Sequence, residues 1–66
     1  MTNEQLDLAR QLVAEGDFRA AAREMFSQYE QEAIERMSNS QLLEWASACY
    51  DGGYGLRAEI IEALAK

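Results

Sequence analysis

The side chains that could carry out catalysis in this 66-residue chain are one thiol and a set of carboxylates. There is no His, so the commonest general base near neutral pH is missing. Cys49 falls beside Trp45 on the apolar face of a predicted helix, which indicates a packed core thiol rather than a nucleophile. One Cys also excludes an internal disulfide and a Cys-rich zinc site. We therefore expect no enzyme, no catalytic residue, no metal site and no cofactor.

Acidic side chains are frequent, and their spacing indicates a solvated surface rather than a paired acid–base site. Those on the longest predicted helix are Glu24, Glu30, Glu32 and Glu35. They alternate with apolar residues at helical spacing and so face outward. The alternative is that they imitate the phosphates of a nucleic acid. Arg19, Arg23 and Arg36 dilute such an acidic face.

The sequence Gly52-Gly53-Tyr54-Gly55 precedes a predicted helix, as phosphate-binding loops do. No strand precedes it and no Gly-Lys-Ser/Thr follows, so a flexible turn is the better interpretation. A helix-turn-helix reading makes the last helix the recognition helix. Its Glu59 and Glu62 outweigh Arg57 and would repel DNA phosphates. We expect no direct binding of nucleic acid.

Aromatic residues gather around this turn. Trp45, Tyr50 and Tyr54 flank it, and Tyr29 lies further back on the long helix. Exposed Tyr and Trp are typical anchors of protein interfaces. The alternative, in which all of them line the core or a homodimer seam, stays open. The predicted protein-binding residues are Met25, Tyr29, Trp45, Tyr50, Tyr54 and Arg57.

The charge of the chain favours an acidic protein that acts on a basic surface of another protein. Twelve acidic and six basic residues give a net charge of −6, and the basic residues are scattered among acids. Nucleic acids and anionic membranes require basic patches instead. No apolar run approaches the ~20 residues of a transmembrane helix, and the first residues lack a signal-peptide pattern. These features predict a cytoplasmic protein without a membrane partner.

The pattern of caps and apolar residues predicts helices throughout. Thr2-x-x-Gln5 is a capping box that begins the first helix, which ends at Gly16 because Gly readily adopts the left-handed conformation. Asp17 caps a second helix, whose apolar stripe continues to Met37. This second helix is expected to be the longest element.

The second half of the chain predicts two further helices. Ser38-x-x-Gln41 is another capping box, flanked by Met37 and Leu42 as a hydrophobic staple. The third helix runs to about Tyr50, and the last spans roughly 56–65. No segment alternates with a period of two. The predicted fold is all-α: a small bundle of three to four short helices with one long central helix, in a single domain over residues 1–66.

The predicted long helix leads to a prediction of self-association. Part of it would extend beyond the shorter helices and leave an apolar stripe exposed. The stripe comprises Phe18, Ala22, Met25, Phe26, Tyr29 and Ala33. Pairing two copies along this stripe would cover it, so the sequence predicts a homodimer.

Two resemblances add expectations. Leu8-Ala9, Leu12, Gly16-Asp17-Phe18 and Ala21 resemble the helical hairpin of a tetratricopeptide repeat, although no second repeat follows in the sequence. In size, acidity and helicity the chain resembles small accessory proteins of bacteriophages, such as anti-CRISPR proteins and inhibitors of host regulators. That resemblance implies an inhibitor that binds and blocks a host protein. The alternatives are a structural or regulatory subunit of a host complex, and an acidic nucleic-acid mimic.

Overall fold

A computed structural model describes residues 2–65, which form five α-helices. The helices are α1 Asn3–Ala14, α2 Phe18–Met25, α3 Gln28–Arg36, α4 Asn39–Asp51 and α5 Gly55–Leu64. This part of the chain contains no strand, so the predicted all-α class is confirmed. None of these five helices combines the length and apolar character needed to cross a membrane.

The helix boundaries follow the predicted caps. Thr2 and Ser38 begin α1 and α4 with complete capping boxes. In each box the backbone N–H of the cap residue donates a hydrogen bond to the side chain of Gln5 or Gln41. Asp17 caps α2 by accepting a hydrogen bond from the Ala20 backbone at 3.3 Å. These caps satisfy amide groups that have no partner within their own helix, which explains why the helices begin where they do.

The predicted long central helix is wrong, because the chain breaks at Phe26 and begins a new helix at Ser27. The backbone of Phe26 is extended, with φ −105° and ψ 145°. Ser27 and Glu30 then form a third capping box at the start of α3. The apolar stripe continues across this break in the sequence, so helical periodicity alone does not reveal it. The Ser27-x-x-Glu30 pattern does, by the same rule that applies at Ser38.

The helices are arranged as two hairpins joined by α3. Helix α1 packs on α2, and α4 packs on α5, while α2 and α5 pack together at the centre. The core comprises Ala9, Ala21, Ala22, Met25, Phe26, Leu42, Ala46, Cys49, Ala58, Ile60, Ile61 and Ala65. Helix α3 contributes no buried residue to it. Cys49 is buried, as the sequence predicts.

The two hairpins share one turn geometry. Gly16 and Gly53 have φ values of 83° and 84°, the left-handed region that favours glycine. After each, the next residue donates a hydrogen bond back into the preceding helix: Asp17 to the Leu12 carbonyl at 2.9 Å, and Tyr54 to the Cys49 carbonyl at 2.8 Å. Both turns are therefore Schellman motifs.

The packing inside the hairpins also repeats. If Gly16 and Gly53 are taken as equivalent, Ala9 matches Ala46 and Ala21 matches Ala58. All four alanines are buried. Small side chains let two helices approach closely where they cross. The tetratricopeptide-like hairpin expected in the first half of the chain thus has a structural counterpart in the second half.

The break at Phe26 removes the stated reason for a homodimer along the second helix. Ala22, Met25 and Phe26 are buried within a single chain rather than exposed on an overhanging stripe. Tyr29, the stripe residue that begins the face of α3, is exposed but lies beyond the break, so the six residues do not form one continuous seam along a single helix.

Candidate protein-binding surface

An open groove of about 450 Å³ lies where the α4–α5 turn meets the side of α4. Its lining consists of Trp45, Ala48, Cys49, Tyr54 and Arg57, and we call it the aromatic groove. The structure thus brings together three of the six predicted binding residues, Trp45, Tyr54 and Arg57. Trp45 and Arg57 are half-buried, and Tyr54 is 63% exposed.

A stack of side chains holds one wall of the aromatic groove. The Trp45 and Phe26 rings lie with centroids 5.7 Å apart at an interplanar angle of 49°. The Arg57 guanidinium carbon lies 4.6 Å from the centroid of the Phe26 ring, on its face. Tilted aromatic pairs and cation–π contacts are both favourable at these distances. Phe26 is buried, so it acts as a fixed platform for the two groove residues.

Arg57 is held from its other side by Glu30. The guanidinium donates a hydrogen bond to the Glu30 carboxylate and forms an ion pair with it. Partial burial of Glu30 acts to raise its pKa, but the Ser27 backbone amide and the Arg57 charge outweigh this, so the pKa of Glu30 lies below its ordinary value. The pair fixes Arg57 and neutralises the charge at the groove.

Tyr54 occupies a position where a capping residue is expected. It is the N-cap of α5, yet α5 has no side-chain cap, unlike the other four helices. Its backbone, with φ −103° and ψ 57°, resembles that of the capping residue Asp17, with φ −91° and ψ 73°. A short polar side chain at an N-cap contributes about 1 kcal/mol. An exposed Tyr at this position gives up that contribution.

The position of the Tyr54 ring, and not the backbone conformation, explains why a glycine occupies position 52. Its φ of −83° and ψ of −2° are accessible to any residue. A Cβ at Gly52 would lie 3.2 Å from Cδ2 and 3.3 Å from Cε2 of Tyr54. The missing side chain therefore lets the ring pack over the turn. At the equivalent position of the first hairpin stands Glu15.

The structure places Tyr50 away from the aromatic groove. Its side chain lies near the carboxylates of Glu59 and Glu62 on α5, and it is 50% exposed. Desolvation together with these two negative charges raises the pKa of Tyr50 above its ordinary value. Tyr50 therefore belongs to an acidic flank of the α4–α5 hairpin and not to the surface that contains Tyr54.

Two further predicted binding residues lie elsewhere. Tyr29 is 81% exposed on α3 and lines a separate groove with Ala33, Arg36 and Met37. Met25 is buried in the core of the monomer and is not on a surface that a partner can contact. Met25 continues the buried face of α2 that contains Ala21 and Ala22, whereas Tyr29 lies beyond the break on the exposed face of α3.

Phe26 and Glu30 are the supporting residues that the sequence prediction missed. Both depend on the break at Ser27, which directs the Phe26 ring toward Trp45 and the Glu30 carboxylate toward Arg57. The Ser27-x-x-Glu30 capping box is the signal that could have located the break. Among residues 2–65, no group of three His, Cys, Asp or Glu side chains converges as a metal site would require.

Comparison of the chain with protein-family models, curated proteins and solved structures gave no significant match.

Proposed function

We propose that this chain is a non-enzymatic protein-binding module that docks on its partner through the aromatic groove. The observation that carries the proposal is the pair of departures at the second turn, Gly52 and Tyr54. Each gives up local stability that the first hairpin retains, and together they present one exposed aromatic ring. Local sequence rules are typically broken at functional sites.

The composition of the aromatic groove also suits an interface. Trp, Tyr and Arg are the residue types most enriched among binding hot spots. Trp45 and Arg57 are fixed by the Phe26 ring and Glu30, so little side-chain entropy is lost when they are contacted. The exposed ring of Tyr54 then supplies apolar area beside a polar hydroxyl.

The expected partner is a host protein with a basic surface. The Arg57–Glu30 pair leaves the groove without net charge of its own, while the chain as a whole carries −6. Such a charge speeds the approach of a basic partner, and the groove supplies the desolvated contact. A phage-encoded inhibitor of the anti-CRISPR kind would act in this way in the host cytoplasm, by covering a functional surface.

The test is capture from a bacterial lysate with three matched baits: the unchanged protein, Tyr54→Ala and Tyr50→Ala. We expect a stoichiometric partner on the unchanged protein and on Tyr50→Ala, and its loss on Tyr54→Ala. Titration with the purified partner should show about 2 kcal/mol weaker binding for Tyr54→Ala, a factor of roughly thirty. A partner retained equally by all three baits would contradict the aromatic groove as the docking surface.

The activity of the captured partner separates the remaining functions. Loss of that activity supports an inhibitor, and its retention supports a structural or regulatory subunit. If the partner binds nucleic acid, competition between the two ligands with a steep dependence on salt would favour acidic mimicry. These measurements use the same complex, so no further variant is needed.

The homodimer stays a prediction, although the seam along the predicted second helix no longer supports it. The large apolar side chains that remain exposed are Leu8, Tyr29, Leu43, Tyr50 and Tyr54. Two copies would have to meet through some of these. Sedimentation equilibrium at tens of micromolar measures the mass directly, and a single species at the monomer mass would contradict the dimer.

A further inference from the structure

A second groove, of about 300 Å³, lies between α2, α3, the start of α4 and the end of α5. We call it the arginine groove and define it by Arg19, Arg23, Ile34, Met37, Leu42 and Leu64. It shares no lining residue with the aromatic groove. A partner could therefore occupy each groove independently.

Arg19 and Arg23 stand one helical turn apart, with Ala22, on the same face of α2. Both are exposed, and neither forms an ion pair with a carboxylate among residues 2–65, where Arg57 and Glu30 are the pair described. Arg10 and Arg36 likewise form no ion pair among these residues, so what distinguishes Arg19 and Arg23 is that both line the same groove. Guanidinium groups of this kind bind carboxylates in bidentate geometry.

The floor beneath the arginines is apolar. Leu42 is buried, and Ile34, Met37 and Leu64 are half-buried around the same groove. Such a floor can accept an apolar side chain of moderate size, because the half-buried residues still expose surface that a ligand would cover. An apolar floor below a positively charged rim is complementary to a ligand that carries both an apolar group and carboxylates.

We propose that the arginine groove binds an acidic peptide segment of a partner protein, with an aliphatic side chain on the apolar floor and carboxylates on Arg19 and Arg23. This goes beyond the proposed function, since it gives the module a second docking surface of opposite charge preference. The charges of the groove set the orientation of the segment: Glu35 lies in the lining on α3, so the ligand's carboxylates face α2.

The test uses three synthetic peptides and the full chain. The probe is acetyl-EELDELLE-amide, and the controls replace its Leu residues with Gly or its acidic residues with Lys. Binding is measured by isothermal titration calorimetry and located by amide shifts in ¹⁵N–¹H spectra. We expect the probe alone to bind, with shifts at Arg19, Arg23, Ile34 and Leu64, and affinity falling as salt rises.

Matched variants test the contacts. The double variant Arg19→Glu with Arg23→Glu should weaken probe binding roughly tenfold, because two partly exposed charge contacts change from attractive to repulsive. The control pair Arg10→Glu with Arg36→Glu changes the net charge equally and should leave most of the affinity. Glu35→Gln should tighten binding about twofold by removing a repulsive charge. Tyr54→Ala should leave probe binding unchanged, which separates this proposal from the aromatic groove.

Several outcomes would overturn the proposal. Equal binding of the Gly control would mean that charge alone is recognised and that the apolar floor is not used. An equal loss of probe affinity in the two double variants would mean that the net charge of the protein, and not the groove, determines binding. Concentration-dependent shifts at Arg19 and Leu64 without peptide would show that a second copy of the chain occupies the groove. Absence of probe binding at millimolar concentration would exclude the site.

Discussion

The α1–α2 and α4–α5 hairpins share one turn geometry and differ in the residues that surround the turn glycine. Both bury alanines at matching positions of their two helices and place a left-handed glycine at the turn. The first turn adds Asp17, whose side chain caps the next helix, and the second adds Tyr54, whose side chain does not. The first turn therefore has a side-chain cap that stabilises the helix after it, whereas the second turn lacks a side-chain cap and exposes the ring of Tyr54.

This difference between the hairpins indicates where a binding site should be sought in the chain. Exposure alone gives no ranking, since Tyr29 is more exposed than Tyr54. Comparison of the two hairpins does rank the exposed aromatic residues, because it shows which residue would stabilise the fold at the same position. Tyr54 is the exposed aromatic residue at a position where the other hairpin carries a stabilising cap.

The largest expected effect concerns the matching buried alanines. Ala21→Leu and Ala58→Leu should each destabilise the fold by about 3 kcal/mol, because neither crossing has room for a larger side chain. Exposed alanines provide the controls, and Ala14→Leu and Ala48→Leu should change stability by less than about 0.5 kcal/mol. Urea unfolding followed by circular dichroism measures all four. A large loss at Ala21 with none at Ala58 would break the equivalence of the hairpins.

The glycines test the shared turn. Gly16→Val and Gly53→Val should each lower the free energy of unfolding by about 1–2 kcal/mol, since a β-branched residue resists a positive φ. Gly55→Ala is the control, because Gly55 has no positive φ and a Cβ there meets open space. The same urea titration applies. Similar losses at Gly55 and Gly53 would argue against the left-handed conformation as the cause.

The caps test the difference between the hairpins. Asp17→Ala should destabilise the protein by about 1 kcal/mol, and Tyr54→Asp should stabilise it by a similar amount by accepting a hydrogen bond from the Arg57 backbone. Thermal unfolding should show the two melting temperatures moving in opposite directions. Tyr54→Asp should also lose the lysate partner. If the Tyr54→Asp variant were more stable and still bound the lysate partner, the side chain of Tyr54 would not be needed for binding.

The smallest effect concerns Glu30 and acid stability. The pKa of Glu30 is lowered in the folded protein, so between that value and the ordinary value of about 4.3 the unfolded chain binds more protons. This contribution to stability is present above the ordinary pKa and disappears as the pH falls through the folded pKa. Glu30→Gln should flatten the dependence of urea midpoint on pH below about pH 4.5. Glu32→Gln, on the exposed side of α3, is the control.

The sequence determined most of the local structure. The caps at Thr2, Asp17 and Ser38 and the turn at Gly16 act through hydrogen bonds and backbone angles within a few residues, so they can be predicted from the residues themselves. The same local rule at Ser27 would have found the break between α2 and α3. Helical periodicity does not reveal this break, because the apolar stripe continues across Phe26 and its spacing does not show where the chain changes direction.

The packing of the helices on one another determines which distant residues meet. Trp45, Tyr54 and Arg57 share a groove, whereas Tyr50 lies outside it within the electrostatic influence of Glu59 and Glu62, and Met25 is buried. Arg19 and Arg23 share a face of α2 by local helix geometry, but the apolar floor beneath them is formed by three other helices. Such groupings depend on how α2 crosses α5 and where α3 turns. Those angles are set by packing among many side chains at once, and no single segment of the sequence encodes them.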